Sequence, residues 1–300
     1  MDIVLQQTIN GLTIGGIYAL IALGYTMVYG VLKLINFAHG DLCILGAYIG
    51  LTTIMAGVFS RLDQILLLGV AFLMAIIVVA IAGILLDQLA YKPLRRVHRL
   101  SAVVSALGAS MLIENGIMLI WGPNVRVFPS GLLPNVSWEI GGASITLVQV
   151  MILIGASLLM ALLYIFVHHT RLGTAIRASA IDQDAARLMG INVNRVIALV
   201  FIIGPALGAI GGLFIGLYYR QTFFTMGWSY GLFAFIAAII GGIGNIPGAM
   251  LGGLLLGLVN AFGAGFISSA WQDAITFALL IIILLVRPSG LLGERIAEKV

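Results

Sequence analysis

The sequence predicts an all-α polytopic membrane protein, a bundle of about eight or nine transmembrane helices of which some are short or broken. Of its 300 residues, 61% are hydrophobic and 9% are charged, whereas a soluble domain carries about a quarter charged residues. The apolar residues form continuous blocks of about twenty, the length of a membrane-spanning helix. A transmembrane barrel would instead show alternating segments of about ten residues. We expect one transmembrane domain over residues 1–300.

The first part of the chain contains five predicted spans. They cover residues 11–32, 42–60, 65–86, 101–121 and 145–167. The segment 91–99, after the third span, carries four basic residues and no acid, so the positive-inside rule assigns it to the cytoplasm. Residues 122–144 are polar and proline-containing, and we expect them to form an external loop. The N-terminus lacks the basic region and cleavage site of a signal peptide, so the first span is expected to remain in the mature protein.

The second part begins with a predicted cytoplasmic segment at residues 168–195, where four arginines agree with that side. A span over 196–217 follows, and residues 218–228 are predicted to be an aromatic interfacial loop. Residues 229–268 are long enough for two spans. Their glycine-rich run indicates two short or broken helices that meet near Asn245 and Pro247.

The last predicted span covers residues 270–286, and a cytoplasmic tail is expected at 287–300. This division gives nine crossings, with the N-terminus outside and the C-terminus inside. If the glycine-rich hairpin is re-entrant, the number falls to eight and the N-terminus lies inside.

Two interrupted segments predict a transport path. Residues 30–50 and 241–257 each place a break with glycine and asparagine before a glycine-spaced apolar run, which suggests an internal duplication. Paired interrupted segments in two halves of a chain are typical of transporter binding sites. The residues expected to line or gate the path are Asn36, His39, Asp41, Gly241, Gly242, Asn245 and Pro247.

Ionisable residues at bilayer depth are the other candidates, because burying them there is costly and such residues are by default functional. Glu114 lies within a predicted span and is expected to face inward as part of the path or gate. For His39 and Asp41, a structural role at a helix start remains an equal alternative. The three groups together would also permit proton coupling, the rival mechanism.

Several motifs are missing from the sequence. It contains no phosphate-binding GxxxxGK[ST] loop, no HExxH and no CxxC, and its single cysteine, Cys43, excludes an internal disulfide. The net charge of +4 is attributed to basic loops at a membrane surface, not to nucleic-acid binding. We therefore predict no enzyme, catalytic residue, cofactor or metal site.

Residues 170–195 predict an amphipathic helix between two spans. Its apolar residues Ile176, Ile181, Ala185 and Leu188 fall roughly on one stripe. Asp182 and Asp184 are expected near the middle of this helix, and Gly190 is expected to end it. Such a helix is poorly placed for chemistry but well placed for contact with another protein.

This segment resembles the cytoplasmic signature of ABC-importer permeases. That signature is an acidic-Ala-Ala triplet, three residues, a glycine and an apolar stretch that leads to a proline. Asp184, Ala185 and Ala186 match the triplet, Gly190 the glycine and Pro205 the proline. Asp replaces the usual Glu, and Gly-Pro replaces Leu-Pro.

Longer stretches resemble one branch of these proteins, the branched-chain amino acid permeases of the LivH type. They are NGLTIGGIYALIALGYTMVYGVLKLINFAHGD (10–41), AIRASAIDQDAARLMGINVNRVIAL (175–199), GGIGNIPGAMLGG (241–253) and RPSGLLG (287–293). The predicted external loop carries the least of the match. The resemblance implies the fold of branched-chain amino acid and ribose-type ABC permeases in the bacterial inner membrane.

The resemblance also implies function and partners. It implies a permease subunit that imports Leu, Ile or Val by alternating access, driven by two cytoplasmic ABC ATPases. A second homologous permease and a periplasmic or lipid-anchored amino-acid-binding protein complete the expected complex, with membrane lipid around it. The coupling helix that would dock into an ATPase comprises Arg177, Asp182, Asp184, Ala185, Ala186 and Gly190.

Two alternatives remain open at this point. Related permeases carry urea, short amides or other amino acids. A stand-alone proton-coupled carrier that uses Asp41 and Glu114 would belong to a different class.

Overall fold

The computed structural model describes residues 2–56, 63–95 and 99–293, so the last seven residues of the predicted tail (294–300) and part of the second predicted span lie outside the described residues. The described chain is mainly α-helical. Its α-helices are α1 (Asp2–Leu32), α2 (His39–Met55), α3 (Gln64–Leu86), α4 (Arg99–Trp121), α5 (Leu147–His169), α6 (Arg171–Ile181), α7 (Gln183–Leu188), α8 (Val193–Tyr219), α9 (Met226–Gly241), α10 (Ile246–Phe266) and α11 (Gln272–Val286). Its short strands are β1 (Arg126–Val127), β2 (Ser137–Ile140), β3 (Ala143–Thr146) and β4 (Gln221–Thr222).

The bundle has two ends, which we call the strand end and the helix-pair end. At the strand end, Gln6 near the start of α1 donates a hydrogen bond of 3.1 Å to the carbonyl of Ser144 in β3. At the helix-pair end, Gln183 of α7 donates to the carbonyl of Val31 in the last turn of α1. The α6–α7 pair marks this second end, and the long helices run alternately between the two.

The number of membrane helices agrees with the prediction of eight or nine. Seven helices of the described chain are long and apolar enough to cross a membrane, and α2 and α9 are shorter apolar helices. The described chain begins at the strand end, and α11 ends at the helix-pair end. This arrangement fits the nine-crossing interpretation.

Helix α2 begins inside the bundle. Nε2 of His39, the first residue of α2, lies 3.2 Å from the carbonyl oxygen of Ile21 in α1. Ile21 precedes Leu32, the last residue of α1, by about 16 Å at the helical rise of 1.5 Å per residue. Residues 33–38 therefore return from the helix-pair end toward the middle of the bundle, after Lys33 ends α1 with φ of 54°.

Helix α9 repeats this arrangement from the opposite end. Arg220 ends α8 with φ of 56°, and six residues later α9 begins. Lys33 and Arg220 are the non-glycine residues with positive φ in the described chain. Left-handed backbone is unfavourable for residues that have a Cβ, so its recurrence at matching positions indicates a structural repeat of α1–α2 and α8–α9.

The repeat corrects two predictions. Residues 33–38 correspond to residues 220–225, because each segment begins with a non-glycine residue of positive φ and leads into a helix six residues later. The predicted correspondence between 33–38 and the glycine-rich break after residue 241 rested on similar composition alone. Residues 218–228, predicted as an interfacial loop, contain the end of α8, β4 and the first turn of α9, which lies inside the bundle. The predicted pair of helices within 229–268 is confirmed as α9 and α10.

Glycines bring the central helices close together. A Cβ on Gly257 of α10 would overlap the backbone of Gly15 in α1, and one on Gly253 would lie 2.5 Å from Cα of Ala19. This agrees with the prediction from glycine spacing, since small residues let membrane helices approach closely. Helices α3, α4, α5 and α11 are peripheral, and few of their residues are buried.

The strand end departs from an all-helical fold. Strands β2 and β3 pair as an antiparallel hairpin through Gly141 and Gly142, whose φ values of 57° and 83° suit a tight two-residue turn. Strand β1 pairs with β4. The segment predicted as a polar loop thus has short strands, because its turn glycines close a hairpin that hydropathy alone does not reveal.

Candidate functional site

The predicted amphipathic helix is two helices, α6 and α7. Asp182 lies between them with an extended backbone (φ −150°, ψ 114°). Its Oδ1 accepts hydrogen bonds from the backbone N–H groups of Asp184 (2.8 Å) and Ala185 (3.0 Å). The prediction that Asp182 lies in the middle of one helix is therefore wrong. The side chain of an aspartate can cap the free N–H groups at the start of a helix. Here that cap begins α7, and α6 ends instead of continuing through Asp182.

Gly190 ends α7 as predicted. Its φ is 83°, and its backbone N–H donates 3.0 Å to the carbonyl of Arg187. The N–H of Ile191 donates 3.0 Å to the carbonyl of Ala186. These bonds satisfy carbonyls that have no partner within the helix, and the left-handed backbone suits glycine.

The helix pair buries one face and exposes the other. Ile176, Ser179 and Ala186 are at most 4% exposed. Ile181, Leu188 and Met189 are 87%, 89% and 82% exposed. Large apolar side chains that protrude from the end of a membrane protein suit a protein-binding surface.

The residues predicted for coupling divide between these two faces. Ala186 packs against the bundle, while the other five are exposed, namely Arg177, Asp182, Asp184, Ala185 and Gly190. Arg187 and Asp184 form an exposed ion pair of 2.6 Å on the outer face. An exposed pair of this kind contributes little to stability, so these charges remain available to a partner.

Gln183 ties the helix pair to the bundle. Its Nε2 donates a hydrogen bond of 2.7 Å to the carbonyl of Val31. Carbonyls in the last turn of a helix lack intrahelical partners, so the bond supplies one for α1. Gln183 was not among the predicted site residues, because no local pattern reveals a contact between residues 152 positions apart.

A second group of candidate residues meets where α2 and α9 begin. His39 is fully buried and packs edge-on against the ring of Tyr25, with ring centroids 4.6 Å apart. A Cβ on Gly40 would overlap the carbonyl of Gly227 in the first turn of α9, and one on Gly231 would lie 2.9 Å from Cα of Gly40. We call this meeting point of the two helix N-termini the central junction.

Asp41 lies in the central junction with only one of its oxygens hydrogen-bonded. Oδ2 accepts a hydrogen bond of 2.5 Å from the hydroxyl of Ser110 in α4. Oδ1 has no hydrogen-bond partner among the described residues and lies against Gly227. Two helix N-termini carry partial positive charge, and a carboxylate between them compensates it. This geometry gives Asp41 a structural role whatever else it does.

The other candidates in the first half lie near this junction. Asn36, in the returning segment, is buried, and its Oδ1 accepts a hydrogen bond of 3.0 Å from the hydroxyl of Tyr91. Glu114 is half-buried on α4, about one turn beyond Ser110. The structure therefore brings Asp41 and Glu114 close enough for their charges to interact. His39 faces α1 instead, and Asn36 contacts Tyr91.

The candidates around residues 241–247 lie apart from the junction, at the helix-pair end. Asn245 caps α10 by accepting a hydrogen bond of 2.9 Å from the N–H of Gly248, and its Nδ2 donates 2.9 Å to the carbonyl of Leu292. The N–H groups of Leu291 and Leu292 donate to the carbonyls of Ile240 and Gly241. Residues 291–292 are thus hydrogen-bonded to the turn between α9 and α10.

Gly241, Gly242 and Pro247 form the turn itself. A Cβ on Gly241 would overlap the carbonyl of Gly248, and Gly242 has φ of 105°. Pro247 occupies the first turn of α10, where a missing N–H costs nothing. Close backbone packing explains the composition of this stretch.

The chain matches known transport proteins along nearly all of its length. Residues 7–284 match the family model described as branched-chain amino acid transport system / permease component. The high-affinity branched-chain amino acid transport system permease protein LivH of Salmonella typhimurium is 44% identical over 302 residues, covering 99% of this chain and 97% of that protein. BraD of Pseudomonas aeruginosa, described in the same words, is 43% identical and covers 99% and 98%.

More distant relatives include the ribose import permease protein RbsC of Haemophilus influenzae, 27% identical over 94% of this chain and 82% of that protein. No solved structure matches the chain. The family and the membrane-length helices make the chain a multi-pass inner-membrane protein and one component of a transport system. The chain belongs to the family of branched-chain amino acid transport permeases.

Proposed function

We propose that the chain is the membrane-spanning permease subunit of an ABC importer for Leu, Ile and Val. The observation that carries this proposal is the α6–α7 pair, which exposes Ile181, Leu188 and Met189 and is tied to α1 through Gln183. Such a pair can receive force from outside and pass it into the bundle. The nucleotide chemistry belongs on partner ATPases, since the sequence has no phosphate-binding loop.

The helix-pair end faces the cytoplasm in this proposal. Among the described residues, the strand end carries Arg126 and Arg220 as its basic side chains. The helix-pair end carries Lys33, Lys92, Arg95, Arg171, Arg177, Arg187, Arg195 and Arg287. This bias supports a cytoplasmic helix-pair end by the positive-inside rule, and it leaves the N-terminus and the strand-containing loop 122–144 outside.

The coupling step begins at the exposed face of α6 and α7. An ATPase groove would take Leu188 and Met189 as apolar anchors, with Arg177, Asp184 and Arg187 at the margin. Movement of the pair would reach the last turn of α1 through Gln183 and Val31. It would then follow residues 33–38 to the central junction, because that short segment links α1 directly to α2.

The substrate path would pass the central junction. A branched-chain amino acid needs an apolar wall for its side chain and dipoles for its charged ends. Short helices that start at mid-membrane offer free N–H groups and positive dipole ends, as in other transporters with broken helices. In this proposal His39, Asp41 and Asn36 gate the path from the side of this junction, Glu114 faces it from α4, and the turn at 241–247 controls its cytoplasmic exit.

The proposed complex contains a second, homologous permease, two cytoplasmic ATPases and an extracytoplasmic amino-acid-binding protein. The names of the relatives support the transported class, because LivH and BraD are described as branched-chain amino acid permeases. The same architecture would also suit urea or a short amide as the transported substrate. Binding experiments distinguish these compounds from branched-chain amino acids.

Co-purification tests this proposal. The chain is isolated from its native membrane, and the proteins that accompany it are identified by mass spectrometry. Two ATPases, a second permease and a binding protein that takes up labelled leucine, but not urea or acetamide, are expected. Isolation of the chain alone, with uptake driven by a proton gradient in vesicles that contain no ATPase, would instead identify a proton-coupled carrier.

A further inference from the structure

Helix α3 continues into a π-helix at the helix-pair end. The π-helix covers Asp87–Tyr91, and the backbone N–H of Lys92 donates to the carbonyl of Asp87, five residues earlier. Single π-helical turns are rare, and they occur frequently at functional sites. Asp87 and Tyr91, its first and last residues, are 3% and 1% exposed. This segment, which we call the π-turn, thus places an acid and a phenol hydroxyl inside the protein.

Asp87 is connected to the start of α8 through Arg95. One guanidinium nitrogen of Arg95 forms an ion pair with Oδ1 of Asp87, and another donates a hydrogen bond of 2.9 Å to Oδ1 of Asn194 in the first turn of α8. The Arg95 and Asp87 side chains are 14% and 4% exposed, so solvent screens this pair less than an exposed one. The planar guanidinium holds its two partners in fixed directions.

Tyr91 connects the π-turn to the returning segment, residues 33–38. Its hydroxyl donates a hydrogen bond of 3.0 Å to Oδ1 of Asn36. Its ring lies beside that of Phe201 in α8, with ring centroids 5.2 Å apart. Asn36 is 1% exposed, and its amide nitrogen has no hydrogen-bond partner among the described residues. Within the described chain, the Tyr91 hydroxyl therefore fixes the position of this buried amide.

The returning segment is thus connected to the surroundings of α7 at both of its ends. Near its first residue, Gln183 at the start of α7 donates to the carbonyl of Val31. Near its last residue, Asn36 is connected to Asn194 through Arg95 and the π-turn. Asn194 belongs to the helix that follows α7. Movement of α7 can therefore reach both ends of the segment by separate routes.

A further hydrogen bond supports the π-turn from outside this route. The hydroxyl of Ser105 in α4 donates 3.0 Å to the carbonyl of Ala90. This bond stabilises the same turn but contacts neither α8 nor the returning segment. It therefore offers a comparison between mere support of the π-turn and transmission through it.

We propose that the π-turn is a second coupling element, which transmits movement of the helix pair to the end of the returning segment that leads into α2. Arg95 and Tyr91 act as positioning residues. Arg95 converts a shift of Asn194 into a shift of the π-turn, and Tyr91 passes that shift to Asn36. Because Asn36 lies just before His39, the start of α2 moves together with the last turn of α1. This inference rests on the proposed function, because it needs an external ATPase that moves the helix pair.

Variants at the two outer bonds of the route test the inference. Replacement of Arg95 or Asp87 would leave a buried charge unpaired and disturb folding. Asn194→Ala removes the bond to α8 and keeps the ion pair, and Tyr91→Phe removes one hydroxyl and keeps the ring. In proteoliposomes that contain the complete complex, we expect each to lower the ratio of substrate imported to ATP hydrolysed severalfold. Ser105→Ala should keep the ratio of the parent complex.

Double variants distinguish one route from two. Tyr91→Phe combined with Asn194→Ala should lower the ratio no further than the stronger single variant, because both bonds lie on the same route. Tyr91→Phe combined with Gln183→Leu should give losses that multiply, because Gln183 belongs to the separate route through Val31. The melting temperature and the amount of ATPase recovered with the chain are measured for every variant.

The outcomes separate the inference from the function beneath it. A parent ratio in both Asn194→Ala and Tyr91→Phe, an equal loss in Ser105→Ala, or losses that multiply between Asn194→Ala and Tyr91→Phe would each overturn the inference. Loss of bound ATPase or of folded protein that accounts for the lower ratio would also overturn it, because the π-turn would then serve assembly or folding. Failure of ATP to drive import by the parent complex would overturn the proposed function itself.

Discussion

Nε2 of Gln183 and the carbonyl oxygen of Val31 lie 2.7 Å apart and join α7 to the last turn of α1. Two residues beyond Val31, Lys33 ends α1 in left-handed conformation. The chain then returns to His39, whose ring contacts the middle of α1. A short mechanical connection therefore links the exposed helix pair to the central junction, with a strained residue at its bend.

Gln183→Leu should uncouple transport from ATP hydrolysis. The variant loses one hydrogen bond, worth about 1 kcal/mol, and leaves a carbonyl of α1 without its donor. In proteoliposomes that contain the complete complex, we expect the ratio of substrate imported to ATP hydrolysed to fall severalfold while hydrolysis continues.

Gln64→Leu is the matched control for this variant. Gln64 also donates its amide to a main-chain carbonyl, that of Gly131, at 2.9 Å, but at the strand end. The same ratio should be normal in Gln64→Leu. Equal losses in both variants would show that the Gln183 bond has no special part in coupling.

Gly227→Ala should destabilise the purified protein. The new methyl group would overlap Asp41 at the central junction, and overpacking of this kind costs about 1–3 kcal/mol. Gly69→Ala, where nothing lies within 4 Å, should keep or raise stability because alanine favours helix by up to about 1 kcal/mol. Thermal unfolding followed by circular dichroism measures both, and an unchanged melting temperature for Gly227→Ala would contradict close packing of the two helix starts.

Asn245→Ala should release the C-terminal segment from the α9–α10 turn. It removes the cap of α10 and the bond to Leu292, whereas Asn192→Ala removes only the cap of α8. Each lost cap costs about 1 kcal/mol. Hydrogen exchange at the amides of Leu291 and Leu292 should quicken in Asn245→Ala alone. Protection that is equal in the two variants would mean that Asn245 does not hold the segment.

Glu114→Gln should alter ATP-driven import only modestly. The amide keeps the capacity to accept a hydrogen bond but cannot carry a proton through titration. Uptake of labelled leucine by the reconstituted complex measures the effect. Complete loss of uptake in a variant that assembles and hydrolyses ATP normally would favour proton coupling through Glu114.

Local chemistry explains which features the sequence could predict. Apolar blocks revealed the long helices, and the break near Asn245 and the end of α7 at Gly190 follow from residues within a few positions. The start of α9 at mid-membrane depends on packing between distant helices, so hydropathy placed it in an interfacial loop. The Gln183–Val31 bond and the docking of Leu292 on Asn245 span 152 and 47 positions, and no local pattern encodes them.

The site residues divide in the same way. Ala186 and Gly190 were recognised through a motif whose spacing is local. Ser110, the partner of Asp41, is 69 positions away from it and has no motif of its own. The position of Asp182 was predicted wrongly because its side chain caps N–H groups within the next three residues. A periodicity pattern does not distinguish such a cap from a residue inside a continuous helix.

The most direct measurement of the central claim is ATP hydrolysis by the complete complex that carries Leu188→Glu. Leu188 is 89% exposed, so a charge there should leave insertion and folding intact, whereas Ala186 is buried and its replacement would disturb packing. Ile140→Glu, at an exposed position of the strand end, is the control. If external ATPases act on α6–α7, substrate-stimulated hydrolysis and import should both be lost in Leu188→Glu and kept in Ile140→Glu. Normal stimulated hydrolysis and import in Leu188→Glu would contradict the claim that this helix pair receives the force of ATP hydrolysis.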